Sequence, residues 1–174
     1  RRYEDKREKL LSAASALFNE RGVVGTTLAD VADSVGLVKN SVTYYYRRKE
    51  DLAVACFMRA IAHYDGLVAQ AAQAAGMAGR IAALIRLQFD FQAQVVAGAR
   101  PGVVMFHEIR SLSEPQSTEV FDAYNALFRR IRALLRPEDS AGWTRDQLNA
   151  RTHLLLSQVH AITPLVQRYE REDD

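Results

Sequence analysis

The sequence predicts an all-α protein. An N-terminal three-helix domain with a helix-turn-helix is joined by a long helix to a second all-helical domain. Three observations support this fold class: apolar residues recur with helical spacing along nearly the whole chain, glycines and prolines separate the periodic segments, and no alternating pattern typical of strands occurs. We place the domain boundary at a rigid helix junction, with residues 1–48 in the first domain and 49–174 in the second.

The composition is that of a folded, soluble protein, with 48% apolar and 25% charged residues. No uninterrupted apolar run approaches the ~20 residues needed to cross a bilayer, and no secretory signal pattern opens the chain. We therefore expect a cytoplasmic protein without a membrane partner, and the single Cys56 fits a reducing compartment. Residues 1–50 carry ten Lys and Arg against seven Asp and Glu, a bias that suits a phosphate-binding module but also occurs on ordinary solvated surfaces.

The first 46 residues predict three helices. The first has an apolar stripe that includes Leu10 and Phe18, and it stops at Gly22. The second begins at Thr27, whose hydroxyl forms a capping box with Asp30, and it ends at Gly36. A short third helix covers about residues 40–46.

The rest of the chain predicts longer helices. One runs from residue 49 to about Ala75, and Gly76 and Gly79 separate it from a helix over 80–97. A short segment covers 103–112, and the next helix covers about 113–136. The last begins with a capping box at residues 144–147, is expected to kink near Pro164, and leaves an acidic, solvent-exposed stretch over 169–174.

Residues 28–45 have the spacing of a helix-turn-helix. Ala32 is small enough for the point where two helices cross, and Gly36 follows where the turn needs a positive φ. Val42 then anchors the second helix against the first. Because these two helices cannot bury their apolar face alone, we expect the first helix to pack against it.

The segment LLSAASALFNERGVVGTTLADVADSVGLVKNSVTYYYRRKEDL resembles the N-terminal signature of the TetR family of transcriptional regulators. The resemblance covers about residues 8–55. The landmarks that carry it are Glu20-Arg21-Gly22, Thr26-Thr27, Val31-Ala32, Gly36, Tyr44-Tyr45-Tyr46 and Lys49-Glu50-Asp51-Leu52.

The resemblance implies a DNA-binding role for seven residues, and the basic run described below adds Arg47 and Arg48 as candidates. At the start of a recognition helix, residues reach base edges in the major groove, whereas helix N-termini, phenols and basic side chains contact phosphates. The base-contacting residues are Lys39, Asn40 and Ser41. The phosphate- or sugar-contacting residues are Thr27, Tyr44, Tyr45, Arg47, Arg48 and Lys49.

Three positions depart from the family pattern. Val38 stands where a Ser or Thr cap is usual, so either one cap is lost or Asn40 caps a helix that starts later. Thr43 replaces a common aromatic residue. Arg47 stands where proline is frequent and creates the run Arg47-Arg48-Lys49, which is either a DNA contact or a solvated face.

For residues 49–174 the resemblance implies a ligand-binding and dimerisation domain. The expected protein is a homodimer that binds a palindromic DNA operator and is released by a small, mostly apolar effector. In many family members a further helix completes the dimer interface. Either that helix is missing from this chain or dimerisation uses residues 116–136 and 144–168.

Two glutamines lie at the centre of the apolar face of the helix over 80–97. Buried amides need partners, so they either orient a ligand in a pocket or are satisfied as core residues by neighbouring backbone. Several aromatic residues are further pocket candidates or plain core. The candidate ligand residues are Tyr64, Gln88, Phe89, Gln92, Met105, Phe106, Phe121 and Tyr124.

Nothing in the sequence indicates an enzyme, a cofactor or a metal site. The chain has no Gly-rich phosphate loop, zinc-spaced cluster or nucleophile elbow, and Cys56 falls on an apolar stripe. His153 and His160 are separated by about 10.5 Å of helical rise, too far for one metal ion. The alternative function is a helical interaction protein with a degenerate helix-turn-helix.

Overall fold

The computed structural model describes the backbone of residues 2–136 and 142–172 and the side chains of residues 3–136 and 142–162. Within these ranges the protein has seven α-helices, one 3₁₀ helix and no strand, which confirms the predicted all-α fold class. The helices are α1 (Arg2–Arg21), α2 (Leu28–Ser34), α3 (Lys39–Tyr45), α4 (Lys49–Ala71), α5 (Gly76–Val96), the 3₁₀ helix (Phe106–Ser111), α6 (Gln116–Ala133) and α7 (Arg145–Glu172).

The chain forms two compact units. Unit 1 comprises Arg1–Ile61 and Gly102–Ala123, and unit 2 comprises Ala62–Pro101 and Tyr124–Asp174. The first part of α4 therefore belongs to unit 1, and the chain returns to this unit for the 3₁₀ helix and the start of α6. The boundary that the sequence predicts at residue 48 stays a prediction.

The core of unit 1 is built on α1. The apolar stripe of α1 is buried, and α2 packs against α1 and α3. On α4, Cys56 is fully buried and its thiol lies 3.6 Å from the backbone oxygen of Leu11. Burial raises the pKa of Cys56 to about 12, so its sulfur is a neutral core group.

In unit 2, α5 packs against α7. The buried face of α5 includes Leu84 and Phe91, and α7 contributes Leu156 and Val159. The guanidinium of the buried Arg80 donates a hydrogen bond of 2.8 Å to the backbone oxygen of Leu134, at the end of α6. Carbonyl groups at the end of a helix have no amide partner within the helix, and this bond gives one of them a cationic donor.

The ends of several helices differ from the predictions. α4 ends at Ala71 rather than Ala75, and α5 begins at Gly76, whose φ of +66° marks the reversal of the chain. Gly79, expected to break the helix, lies inside α5, because a glycine within a helix costs only about 1 kcal/mol relative to alanine. α7 runs through Pro164 to Glu172, and the kink expected near Pro164 stays a prediction.

Within the described part of the chain, α4 is the one helix long and apolar enough to cross a membrane. Half of the most apolar 18-residue stretch of α4 is buried inside the protein. Leu52, Phe57 and Ala60 are fully buried, which is the environment of a core helix.

Candidate nucleic-acid interface and buried polar cluster

The α2–α3 pair has the turn that the sequence predicts. Gly36 has a φ of +67°, and the amide of Leu37 donates a hydrogen bond of 2.9 Å to the carbonyl oxygen of Ala32. Ala32 and Val42 are fully buried where the helices meet. The positive φ favours glycine, so this position fixes the angle between α2 and α3.

Thr27 forms the predicted capping box with Asp30. The Thr27 hydroxyl accepts a bond of 3.1 Å from the Asp30 amide, and the amide of Thr27 donates one of 2.7 Å to the Asp30 carboxylate. The hydroxyl also donates to this carboxylate at 2.7 Å, and these bonds lower the pKa of Asp30. A phosphate at Thr27 would therefore have to compete with Asp30 for both donors.

The start of α3 lacks a side-chain cap. Val38 occupies the N-cap position with 70% of its surface exposed, and the helix begins at Lys39. The alternative in which Asn40 caps a later start is wrong, because Asn40 already lies in the first turn. Lys39 and Asn40 are exposed and Ser41 is half-buried, so all three lie at the accessible end of the helix.

The three consecutive tyrosines have different environments. Tyr44 is 76% exposed, and its ring meets that of Tyr45 edge to face at 5.3 Å. Tyr45 also contacts the ring of Tyr3 at 4.9 Å. Tyr46 is buried, and burial raises the pKa of its phenol, so it belongs to the core. The sequence reasoning did not find Tyr3, because its partner is distant in sequence.

The basic run after α3 is partly engaged within the protein. Arg48 pairs with Asp51 at 2.7 Å, an ion pair that raises the pKa of Arg48 and lowers that of Asp51. The Lys49 ammonium donates to the backbone oxygen of Val24 at 3.2 Å, and Arg47 is exposed. Of the three, Arg47 requires the least rearrangement to meet a phosphate.

The candidate ligand residues are divided between the units, and five of them belong to unit 2. Gln88 and Gln92 are buried on α5, as is Tyr64 on α4. The Gln88 amide nitrogen donates a hydrogen bond of 3.2 Å to the Tyr64 hydroxyl, whereas the Gln88 amide oxygen is buried without a partner. Tyr124 is half-buried, and Phe89 is 46% exposed on α5.

Two titratable groups of the cluster around Tyr64, the phenol of Tyr64 and the imidazole of His160, are uncharged near pH 7. Burial raises the pKa of Tyr64 to about 12 and lowers that of His160 to about 4. The two rings meet edge to face at 5.4 Å. Neutral donors and acceptors in an apolar setting favour a neutral ligand group over an ionised one.

The other three candidate ligand residues, Met105, Phe106 and Phe121, belong to unit 1. Met105 and Phe106 are half-buried and Phe121 is 43% exposed. Unit 1 has a groove of about 430 Å³ that none of these three residues lines. The pocket assignment therefore stays a prediction.

Two other features are relevant to the site. Residues 3–136 and 142–162 hold no cluster of three or more His, Cys, Asp or Glu side chains that could bind a metal. The carboxylate of Glu108 accepts a hydrogen bond from the Val23 amide, beside the DNA-binding candidates. No local pattern indicates this contact, because the partners are 85 positions apart.

The geometry is that of a helix-turn-helix protein with an all-helical body. Residues 10–56 match the family described as "Bacterial regulatory proteins, tetR family", which confirms the resemblance predicted from the sequence. The matching segment contains α2 and α3, the helix-turn-helix pair.

Two curated relatives match part of the chain. The "HTH-type transcriptional repressor KstR2" of Mycolicibacterium smegmatis is 36% identical over 47 residues, 27% of this chain and 23% of the relative. The "Biofilm operon icaADBC HTH-type negative transcriptional regulator IcaR" of Staphylococcus epidermidis is 41% identical over 46 residues, 26% of this chain and 25% of the relative. The matched segment thus spans about a quarter of the length of these relatives.

The similarity in fold extends further. A crystal structure of AibR in complex with isovaleryl coenzyme A and operator DNA superposes with a TM-score of 0.72, over 91% of this chain and 85% of that chain. The sequence identity is 16%, so the comparison shows a shared fold and not a shared ligand.

Proposed function

We propose that the protein is a DNA-binding transcriptional regulator of the TetR type, acting as a repressor. The observation that carries the proposal is the helix-turn-helix geometry, with Gly36 at the turn, within the segment that matches the family. Both curated relatives above are named as repressors or negative regulators, which favours repression over activation.

In this proposal α3 is the recognition helix. Lys39, Asn40 and Ser41 contact base edges, because they lie in its exposed first turn. Tyr44 and Tyr45 contact phosphates or sugars, together with the exposed Arg47.

Thr27, Arg48 and Lys49 play a smaller part in the proposed interface. Each already bonds within the protein, so each must exchange or share an internal hydrogen bond to bind a phosphate.

We further propose a cytoplasmic homodimer on a palindromic operator. Two copies of α3 would read half-sites whose centres are about 34–36 Å apart, or a multiple of this distance. The AibR crystal structure contains operator DNA bound to a protein of the same fold, which makes a DNA-bound state of this fold feasible.

The proposed signal is a small, mostly apolar effector, with no cofactor required. Tyr64, Gln88 and His160 form a neutral polar cluster in unit 2, and the unpartnered Gln88 oxygen can accept a hydrogen bond from a ligand. AibR was crystallised with isovaleryl coenzyme A, so a related fold accommodates a small-molecule ligand.

Binding of DNA is tested by fluorescence anisotropy with a duplex that the protein selects from a randomised pool. We expect Lys39→Ala to weaken binding by about five- to a hundredfold if it loses a base contact. Arg86→Ala is the matched control, because it removes the same charge from an exposed position on α5. This control should bind like the wild-type protein.

The salt dependence of the wild-type protein distinguishes the proposal from its alternative. Phosphate contacts release counterions, so the affinity should fall steeply as the salt concentration rises. Failure to select any duplex, or equal affinities for Lys39→Ala and Arg86→Ala, would favour a helical interaction protein with a degenerate helix-turn-helix.

A further inference from the structure

The segment 102–108, which follows α5 in the chain, lies along α1 in unit 1. The Arg59 guanidinium, 15% exposed, donates a hydrogen bond of 2.8 Å to the backbone oxygen of Gly102 and bonds the Glu8 carboxylate at 2.6 Å. The Asn19 amide donates to the Val103 oxygen at 2.9 Å and accepts from the Met105 amide at 2.8 Å. These contacts tie the segment to α1 at two places.

The third attachment lies beyond the end of α1. One Glu108 carboxylate oxygen accepts a hydrogen bond of 2.8 Å from the Val23 amide, and the carboxylate is only 16% exposed. Gly22 has a φ of +75°, and a Cβ there would lie 3.2 Å from the same oxygen. The second carboxylate oxygen lies 3.3 Å from His107. Glu108 is thus fitted to the turn after α1.

This turn sets where α2 begins. The hydroxyl of the fully buried Thr26 donates to the Gly22 oxygen at 2.8 Å, and Lys49 donates to the Val24 oxygen. A Cβ at Gly25 would collide with the backbone oxygen of Arg21, so the turn is tightly closed. Thr27, the N-cap of α2, follows directly. A group that holds Val23 therefore restrains the first helix of the helix-turn-helix.

We propose that Glu108 is a positioning residue for DNA binding. It holds the α1–α2 turn through the Val23 amide, so that α2 and α3 have the orientation that an operator requires. The segment 102–108 is the element that applies this restraint. The inference rests on the proposed function and adds to it a residue that positions the DNA-binding surface.

The chain gives this restraint a connection to the proposed effector site. Residues 97–101 join the segment to the end of α5, the helix that carries Gln88 and Gln92. The segment and the helix that carries these glutamines are therefore neighbours along the chain. A loosened turn would lower the affinity for the operator.

The test compares Glu108→Ala and Glu108→Gln with the wild-type protein on the duplex selected above. The alanine variant loses the acceptor for the Val23 amide, and we expect about tenfold weaker DNA binding, because a charge-assisted bond is lost. The glutamine oxygen can still accept this bond, so the glutamine variant should recover most of the affinity. Glu20→Ala removes the same charge from an exposed position on α1 and should not weaken binding.

Hydrogen exchange provides a readout independent of DNA. In Glu108→Ala, the amides of Val23 and α2 should exchange faster than in the wild-type protein, while the amides of α5 should not. If Glu108→Ala does not fold, Asn19→Ala, which frees the segment at Val103 and Met105, takes its place in both measurements. Wild-type affinity and exchange in Glu108→Ala would overturn the inference, as would equal weakness of the alanine and glutamine variants.

Failure of the proposed function has a different signature. If the wild-type protein selects no duplex, the regulatory assignment and the role of Glu108 in DNA binding both fail, and faster exchange of α2 in Glu108→Ala would show only that Glu108 restrains the α1–α2 turn. If the wild-type protein binds DNA and the exchange of α2 does not change, only the positioning role fails.

Discussion

At the scale of single residues, Gln88 has an unfavourable environment for folding. It is fully buried, its amide nitrogen reaches one partner at 3.2 Å, and its oxygen reaches none. An unsatisfied buried polar group costs about 1–3 kcal/mol. If this position served packing alone, an apolar side chain would avoid this free-energy cost. The presence of an amide therefore favours a ligand role.

We predict that Gln88→Leu leaves the free energy of unfolding within about 1 kcal/mol of the wild-type value, because it removes an unsatisfied acceptor as well as a long hydrogen bond. Urea denaturation measures this. Tyr64→Phe supplies the comparison, since it leaves the Gln88 nitrogen without its partner, and its cost should shrink in the Gln88→Leu background. A loss above about 3 kcal/mol in Gln88→Leu would instead identify a structural core amide.

At the scale of helices, α2 and α3 differ in how they begin. α2 has a complete capping box, whereas Val38 at the N-cap of α3 has extended φ and ψ angles of −82° and 150° and no side-chain acceptor. The backbone at Val38 is already in the conformation that a capping serine adopts. α3, the proposed recognition helix, therefore begins with amides that no side chain caps.

Val38→Ser should stabilise the protein by about 1 kcal/mol, because a serine hydroxyl can accept a bond from the first turn of α3. Val38 is 70% exposed, so little apolar burial is lost. Val24→Ser is the matched control, since Val24 is 76% exposed but occupies no N-cap. Thermal unfolding of both variants checks this, and equal midpoints would contradict the capping argument.

The sequence predicts the helices themselves better than it predicts their ends. Apolar spacing and the Thr27–Asp30 capping box are local signals, and the structure has both. The position of Gly79 inside α5 could not be read from glycine alone, because packing overrides a weak helix preference. The Asn19 and Glu108 contacts join residues more than 80 positions apart, and no periodic pattern encodes such pairs.

At the scale of the whole molecule, burial of neutral titratable groups limits the pH range of greatest stability. The pKa values of Cys56 and Tyr64 are each raised to about 12, so unfolding becomes easier at alkaline pH, where the unfolded chain loses these protons first. The pKa of His160 is lowered to about 4, which reduces the stability of the folded protein at acidic pH. Stability should therefore be greatest between neutral and mildly alkaline pH.

The acid side yields a quantitative prediction. Unfolded His160 binds a proton below about pH 6.5, whereas the folded protein resists protonation down to about pH 4, so stability falls as the pH decreases through this window. For these two pKa values the loss is about 2 kcal/mol between pH 8 and pH 5. Urea denaturation at pH 8 and at pH 5 measures this loss of stability. In His160→Gln, most of the difference in stability between the two pH values should disappear.

His153→Gln separates this effect from the general influence of acid. His153 is an exposed histidine on the same helix, so its replacement removes an imidazole without changing the contact between His160 and Tyr64. If His160→Gln and His153→Gln retain the same difference between pH 8 and pH 5, the acid sensitivity arises elsewhere. If only His160→Gln loses it, a single buried imidazole beside Tyr64 links the stability of the whole chain to pH.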